Sequence, residues 1–171
     1  MMITSHGAAA ILARMTHAKV AEQDDSLTSK GLGRLFLFGI LPDIPLALLV
    51  ISGRFDPDIH YHHRWITHTP VFWLIISLLT MRFYSRDTGL ELLAATWLHL
   101  GMDWYGGADG IAFLYPLTDR QYGAGLSGVN GPEGLQIYFS KPLFSILEIA
   151  IQGSALLAVI FNLFPKPVRK K

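Results

Sequence analysis

The sequence contains no cysteine and few charged residues. Of its 171 residues, 16% are Asp, Glu, Lys or Arg and 51% are hydrophobic, whereas about a quarter of an ordinary soluble domain is charged. The lack of cysteine excludes disulfides, thiolate metal sites and cysteine nucleophiles, so a metal would have to bind His, Asp, Glu or carbonyl oxygen. The net charge of +1 and the lack of an extended basic stretch before the C-terminal PKPVRKK argue against direct nucleic-acid binding. This composition predicts a membrane protein.

Long apolar stretches predict an all-α integral membrane bundle of about four membrane helices, forming a single domain over residues 1–171. The stretches cover roughly residues 33–52, 70–84, 89–104 and 142–164. The last alone has the ~20 residues of a full span. The first is interrupted by LPDIP, where two prolines remove backbone donors. Because irregular backbone at membrane depth needs protein or a wet cavity around it, we expect Asp43 to face a polar environment.

The distribution of basic residues predicts the orientation. With four crossings and both termini on one side, ten of the 14 basic residues fall on that side, which favours a cytoplasmic C-terminus. Residues 54–69 and 105–141 then lie on the outer side. The N-terminal apolar stretch has no basic region ahead of it, so we expect it to be retained in the fold. If the segment from His6 to Thr16 crosses the membrane, the N-terminus moves to the other side. The glycine-rich stretch from Trp104 to Gly134 is predicted to be a long loop.

Two motifs concentrate titratable side chains. In WLHLGMDWYGG, His99 and Asp103 are four residues apart and share a helix face, so they could bind one metal or form a packed core hydrogen bond. In HHRWITHTP, His63 and His68 are five apart and need a turn, which Pro70 favours by disfavouring helix at Thr69. These histidines could bind metal or simply hydrate a helix end. Imidazoles and carboxylates without thiolates suit zinc, manganese or iron.

Taken in order, LPDI, HRWITHT and HLGMDWYGGADGIAFLYPL resemble the bacterial membrane-bound metal-dependent hydrolase family. That family includes an inner-membrane protein described as binding the LexA repressor, and it is similar to the all-helical zinc-dependent phospholipase C and P1 nuclease group. The resemblance covers about residues 6–117. It implies location in the bacterial inner membrane and a soluble regulator as a partner.

The resemblance also implies a set of metal ligands. They are His6, Asp43, His99 and Asp103, with Asp103 bridging, and His63 or His68 completing the shell. The phospholipase C group binds a further zinc through histidines that follow the bridging aspartate. Because this sequence has no histidine after His99, we expect one or two metals, zinc first and manganese or iron as alternatives. Glu148 and Gln152 share a helix face and could bind a ligand or make an inter-helix contact.

The predicted activity is hydrolysis of a phosphoester or a lipid-borne ester at the membrane surface. A divalent metal lowers the pKa of bound water to about 7 and so supplies a nucleophile. Asp43 would accept the proton of that water or hold the metal, and Arg64 would neutralise a phosphate or act as an interfacial arginine. Membrane lipids and a small or lipid-borne substrate are the expected partners.

Two alternatives belong to other classes of protein. One is a non-catalytic membrane protein whose closed metal site joins helices and which docks a regulator. The other is a small transporter, which the broken helix at LPDIP supports. The transporter predicts polar groups at several depths along a path. The hydrolase predicts that the six candidate ligands converge within a few ångströms.

Overall fold

The computed structural model describes residues 2–20, 28–54, 62–106, 110–124, 138 and 140–163. Within these residues the chain is helical, and the pairing of extended backbone is limited to an isolated antiparallel bridge between Ile111 and Tyr122. The predicted all-α class is therefore confirmed. The helices are α1 (Ile3–Val20), α2 (Ser29–Ile40), α3 (Ile44–Ile51), α4 (Pro70–Phe83), α5 (Arg86–Gly106) and α6 (Pro142–Leu163).

The break at LPDIP is present as a short 3-10 turn. Leu41–Asp43 forms this turn between α2 and α3, where Pro42 and Pro45 occupy first-turn positions that need no backbone donor. At its other end, α2 begins after Thr28, whose hydroxyl accepts a hydrogen bond from the Gly31 N–H at 3.2 Å. The turn places Asp43 in the interior, as the sequence predicted for a polar environment at this position.

Two helical segments of the described chain are long and apolar enough to cross a membrane. They are Ser29–Ile51, with 23 residues, and Pro142–Phe161, with 20. A shorter apolar helix, Pro70–Phe83, falls below the length of a span. Helix α5 has 21 residues and would reach about 31 Å at 1.5 Å per residue, but it carries Asp87, Glu91 and Asp103 along its length.

Helix α1 runs antiparallel to α2 and parallel to α6. His6, near the start of α1, lies against Gly39 near the end of α2. Further along, Ile11 and Met15 pack with Leu32 and Leu35 of α2 and with Val159 of α6. The start of α1 also contacts the early part of α6, because the Met2 N–H donates to Glu148 at 2.9 Å.

Consequently, Met2 and the end of α6 lie at opposite ends of the bundle. This arrangement differs from the expectation that both termini lie on one side. The physical reason is that α1 is a full helix of 18 residues packed along the bundle. The alternative noted from the sequence, in which the segment from His6 to Thr16 crosses the membrane and the N-terminus moves to the other side, is compatible with this geometry.

Helices α4 and α5 form an antiparallel pair that carries part of the core. Gly89 permits their close approach, since a Cβ at this position would lie 2.7 Å from the Ser77 carbonyl oxygen and 2.8 Å from the Met81 nitrogen. Trp73, Leu92, Leu100 and Ile111 form a buried cluster shared by α4, α5 and the segment that follows α5. Helix α5 ends at Gly106, so the first three residues of the predicted loop, 104–106, belong to the helix. Residues 107–109 and 125–134 of that loop lie outside the described residues.

Candidate metal centre

His99 and Asp103 lie on the buried face of α5, one helical turn apart. Leu92, Thr96, His99 and Asp103 are all buried and follow the three- and four-residue spacing of one helix face. The Nε2 atom of His99 lies 2.9 Å from Oδ2 of Asp103. The helix therefore turns both groups into the bundle, as their spacing predicted.

The tautomer of His99 follows from its second nitrogen. Nδ1 of His99 lies 2.7 Å from the carbonyl oxygen of Gly39. A carbonyl oxygen can only accept, so Nδ1 carries the hydrogen and a neutral ring presents a lone pair at Nε2. A histidine that binds metal commonly donates its other N–H to a backbone carbonyl in this way.

Asp43 faces the same point from the turn between α2 and α3. Its Oδ2 lies 3.8 Å from Nε2 of His99, and its Oδ1 lies 3.3 Å from Nε2 of His68. The carboxylate is 3% exposed. The proline-flanked turn thus brings a charged group into the interior next to imidazoles that could share a cation with it.

The segment from His62 to His68 lies before α4 and carries three histidines into the site. The indole N–H of Trp73 donates to the Thr67 carbonyl oxygen at 2.6 Å, which fixes the 3-10 turn Ile66–His68 against α4. His63 and His68 are both buried, and the Nε2 atom of each lies 3.7 Å from Oδ2 of Asp103. The sequence left open which of the two approaches the site, and the structure brings both there.

His62 also belongs to the cluster, although it received no role from the sequence. Its Nε2 lies 3.8 Å from Oδ1 of Asp43, and its ring is 4.2 Å from that of His63. The sequence feature that could have identified His62 is its position in the run HHRWITH. Spacing rules apply to regular helices and strands and do not show which way a residue points in an irregular turn.

His6 joins the cluster from α1. Its Nε2 lies 3.1 Å from Oδ1 of Asp103, and its ring stacks on His99 with centroids 3.8 Å apart. The two oxygens of Asp103 therefore face different imidazoles. Oδ1 faces His6, whereas Oδ2 faces His63, His68 and His99. Such a carboxylate can bind one ion or join two.

The six candidate ligands and His62 meet at the same end of the bundle. Three groups of these side chains have potential ligand atoms within 4.8 Å of one another. The groups are His62, His63 and His68; His6, Asp43 and His99; and His68, His99 and Asp103.

These residues fit a divalent metal by distance and by chemistry. Two ligands on a tetrahedral zinc at about 2.0–2.1 Å lie roughly 3.3 Å apart, and the separations quoted above run from 2.9 Å to 3.8 Å. Nε2 of His6, His68 and His99 is buried without a hydrogen-bond partner in the described part of the chain, although each lies near a carboxylate oxygen. A metal ion bound among these atoms could accept lone pairs from several of them at once.

At two histidines of the turn before α4, burial favours the neutral form of the ring. It lowers the pKa of His68 to about 4 and the pKa of His62 to about 3, because the protonated ring loses hydration on burial. Both rings are therefore neutral at pH 7, and neutral imidazole is the form that binds a metal.

Arg64 lies at the surface beside the buried cluster. Its Nε donates to Oε1 of Gln121 at 2.8 Å, and the side chain is exposed. The neighbouring His63 carbonyl accepts from the Ala112 N–H at 3.2 Å. The segment 110–124 is thus joined to the histidine turn at two points.

Glu148 and Gln152 contact α1. Gln152 donates to the Ser5 hydroxyl at 2.9 Å, and that hydroxyl in turn donates to Glu148. Of the two interpretations suggested by the sequence, the structure shows the polar inter-helix contact.

The fold and the cluster define an all-helical membrane protein whose buried histidines and carboxylates could hold a metal ion. Residues 1–165 match the family described as YdjM inner membrane protein, and the chain belongs to that family. This match confirms the bacterial inner-membrane assignment made from the sequence, and it does not address hydrolysis or the similarity to phospholipase C. Comparison with curated proteins and with solved structures gives no match.

Proposed function

We propose that this inner-membrane protein is a metal-dependent hydrolase acting on a phosphoester or a lipid-borne ester. The observation that carries the proposal is the orientation of His99. Its Nδ1–H is held by the Gly39 carbonyl, so the lone pair on Nε2 faces the carboxylates of Asp103 and Asp43.

A cation explains this arrangement better than a proton does. A proton on Nε2 of His99 would satisfy a single contact, the one with Asp103. A divalent ion accepts several of these donors at once, and His and Asp without Cys suit zinc, with manganese and iron as alternatives. We propose that His6, Asp43, His63, His68, His99 and Asp103 hold one or two such ions.

A divalent metal held by these residues would supply a nucleophile by lowering the pKa of a bound water. Asp43 would either take up the released proton or remain a ligand, and the positions of its two oxygens near His68 and His99 support this proposal. Arg64 lies on the same turn as His63 and is exposed, so an anionic group that reaches the turn would meet its guanidinium.

An apolar groove beside the cluster supports a lipid-borne substrate. The groove has a volume of about 360 Å³ and is lined mainly by Trp97, Leu100, Trp104, Ile111 and Phe113. Leu100 and Trp104 directly follow His99 and Asp103 on α5, so this wall of the groove is the helix that carries the site.

The alternative of a transporter receives less support from the described residues. The buried ionisable side chains are His6, Asp43, His63, His68, His99, Asp103 and Glu148. They lie at one end of the bundle, because Glu148 contacts Ser5 beside His6. A transport path requires polar groups at several depths.

The multi-pass arrangement with a cytoplasmic C-terminus is part of the proposal. Arg82 and Arg86 lie at the junction of α4 and α5, which is the end of the bundle opposite the cluster. With that end cytoplasmic, these basic residues follow the positive-inside rule. The cluster then lies toward the outer face.

Elemental analysis of the detergent-purified protein tests the proposal directly. We expect stoichiometric divalent metal, followed by metal-dependent turnover of one class in a panel of phosphomonoesters, phosphodiesters, phospholipids and carboxylic esters. A folded protein with no metal, even after incubation with Zn²⁺, Mn²⁺ or Fe²⁺, would overturn the hydrolase proposal. A metal that binds without an exchangeable position would instead support the non-catalytic alternative.

A further inference from the structure

We infer that Glu148 is a positioning residue for the metal centre, holding His6 in place through hydrogen bonds to the start of α1. The inference rests on the proposed function, because it assigns a task to a residue outside the proposed ligand set. Under this inference, α6 contributes to the metal centre by positioning one of its proposed ligands.

Glu148 is a buried carboxylate in one of the two described helical segments that are long and apolar enough to cross a membrane. It is 4% exposed and lies in the candidate span Pro142–Phe161. Ionisable groups in such segments are costly and are normally tied to a function. A buried charged group is also weak evidence for stability, since a well-packed apolar residue often stabilises as much or more. A specific structural task accounts for its presence.

Four donors converge on this carboxylate. Oε1 accepts from the Met2 N–H at 2.9 Å and from the Tyr138 hydroxyl at 2.6 Å. Oε2 accepts from the Ser5 hydroxyl and from Gln152 Nε2 at 3.3 Å. Each oxygen thus has two donors, and one donor on each oxygen comes from the start of α1: Met2, which directly precedes the helix, and Ser5 in its first turn.

Glu148 provides a carboxylate at the start of α1, where the helix has no acidic residue of its own. The first turn of α1 contains no acidic residue, although a helix N-terminus favours negative charge. In a capping box, a Glu three residues into the helix accepts from the backbone N–H of the cap residue. Here residue 5 is Ser, and Glu148 accepts the Met2 N–H from a neighbouring helix.

Fixing Ser5 also fixes the direction of His6. Adjacent residues on an α-helix differ by about 100° in direction, so a side chain held at position 5 determines where position 6 points. Ser5 is completely buried and bonded to both Glu148 and Gln152. On the next residue, Nε2 of His6 lies 3.1 Å from Asp103.

The test uses Glu148→Gln with Co²⁺ as the probe. The amide keeps the shape but has a single acceptor oxygen, so at least one pair of donors loses its partner. We expect Co²⁺ affinity to fall about 10- to 100-fold, as for other residues that orient a ligand. The visible absorption of bound Co²⁺, which reports coordination, should also change. The matched control is Glu91→Gln, because Glu91 pairs with Arg34 between α2 and α5 at 2.7 Å and lies two turns from His99. Its variant should bind Co²⁺ as the wild type does.

A double-mutant cycle with Ser5→Ala separates positioning from general stability. If Glu148 acts through Ser5, the double variant should bind Co²⁺ no more than about threefold more weakly than the worse single variant, because contacting residues are not additive. Unchanged Co²⁺ affinity and spectrum in Glu148→Gln, even with lower thermal stability, would overturn this inference alone. Additive losses would also overturn it. A wild-type protein that takes up no Co²⁺ would overturn the proposed function and this inference with it.

Discussion

Gly39 and His99 are joined by a hydrogen bond of 2.7 Å between the Gly39 carbonyl oxygen and Nδ1 of His99. The same glycine allows α1 to approach α2, since a Cβ on it would lie 2.6 Å from the His6 carbonyl oxygen and 2.8 Å from Gly7 Cα. One residue therefore sets the tautomer of His99 and the position of His6. These two rings stack at 3.8 Å.

The first prediction is that Gly39→Ala lowers both metal content and stability. The added methyl group would meet backbone atoms of α1 at less than 3 Å, so α1 has to move and takes His6 with it. Overpacking of this kind costs about 1–3 kcal/mol. Thermal unfolding in detergent and metal analysis of the purified variant measure the two effects.

Gly33→Ala is the control for this prediction. Gly33 lies on the same helix, and a Cβ there would have no atom within 4 Å. Because alanine is the better helix former by up to about 1 kcal/mol, this variant should be as stable as the wild type or more so, with full metal content. Full metal content in Gly39→Ala would contradict the assigned role of Gly39.

The second prediction concerns the ligands on α5. His99→Ala and Asp103→Ala should each remove the metal while the helices remain folded, because the two side chains contribute donor atoms at the centre of the cluster. Circular dichroism would report the helix content and elemental analysis the metal. His17→Ala is the control, since His17 is an exposed histidine on α1. Loss of metal from the His17 variant as well would point to adventitious binding by surface histidines.

The sequence could predict those parts of the site that depend on local spacing. The four-residue separation of His99 and Asp103 placed both on one helix face, and the two prolines around Asp43 broke the helix where the structure has a turn. Both deductions require only helix geometry and the chemistry of proline.

Other parts depend on which helices meet, and a single sequence does not contain that information. A glycine is needed at position 39 only because α1 crosses α2 at this residue. Glu148 accepts hydrogen bonds from Ser5 and Met2, which are 143 and 146 residues away in the sequence. His62 lies in an irregular turn, where no periodicity indicates the direction of a side chain.

The third prediction tests the indole of Trp73 as the support of the histidine turn. Trp73→Phe keeps an aromatic ring but removes the N–H that bonds the Thr67 carbonyl at 2.6 Å. Leaving this carbonyl without its donor should cost about 1–3 kcal/mol. Because His68 follows Thr67, metal affinity should also fall, although less than in Asp103→Ala. Trp97→Phe is the matched control, since Trp97 is 47% exposed. Equal metal affinity in both tryptophan variants would show that the turn does not need this bond.

The fourth prediction concerns how the bundle lies in the membrane, and the lack of cysteine makes it directly testable. Asp119→Cys places a thiol in the segment 110–124 at the end that carries the cluster, and Tyr84→Cys places one between α4 and α5 at the opposite end. Both native side chains are exposed. With the C-terminus cytoplasmic, a membrane-impermeant maleimide should label Asp119→Cys in cells whose inner membrane is intact. Tyr84→Cys should react only after that membrane is permeabilised.

An N-terminal tag completes the topology experiment, because Met2 contacts Glu148 near the start of α6 at the cluster end. The tag should be accessible from the same side as Asp119→Cys. If the tag and Asp119→Cys are both protected while Tyr84→Cys is labelled, the orientation is reversed but the arrangement of helices stands. If the tag is on the side of Tyr84→Cys, α1 cannot run along the bundle as described. His6 would then be unable to reach Asp103, and the convergence on which the metal centre depends would be lost.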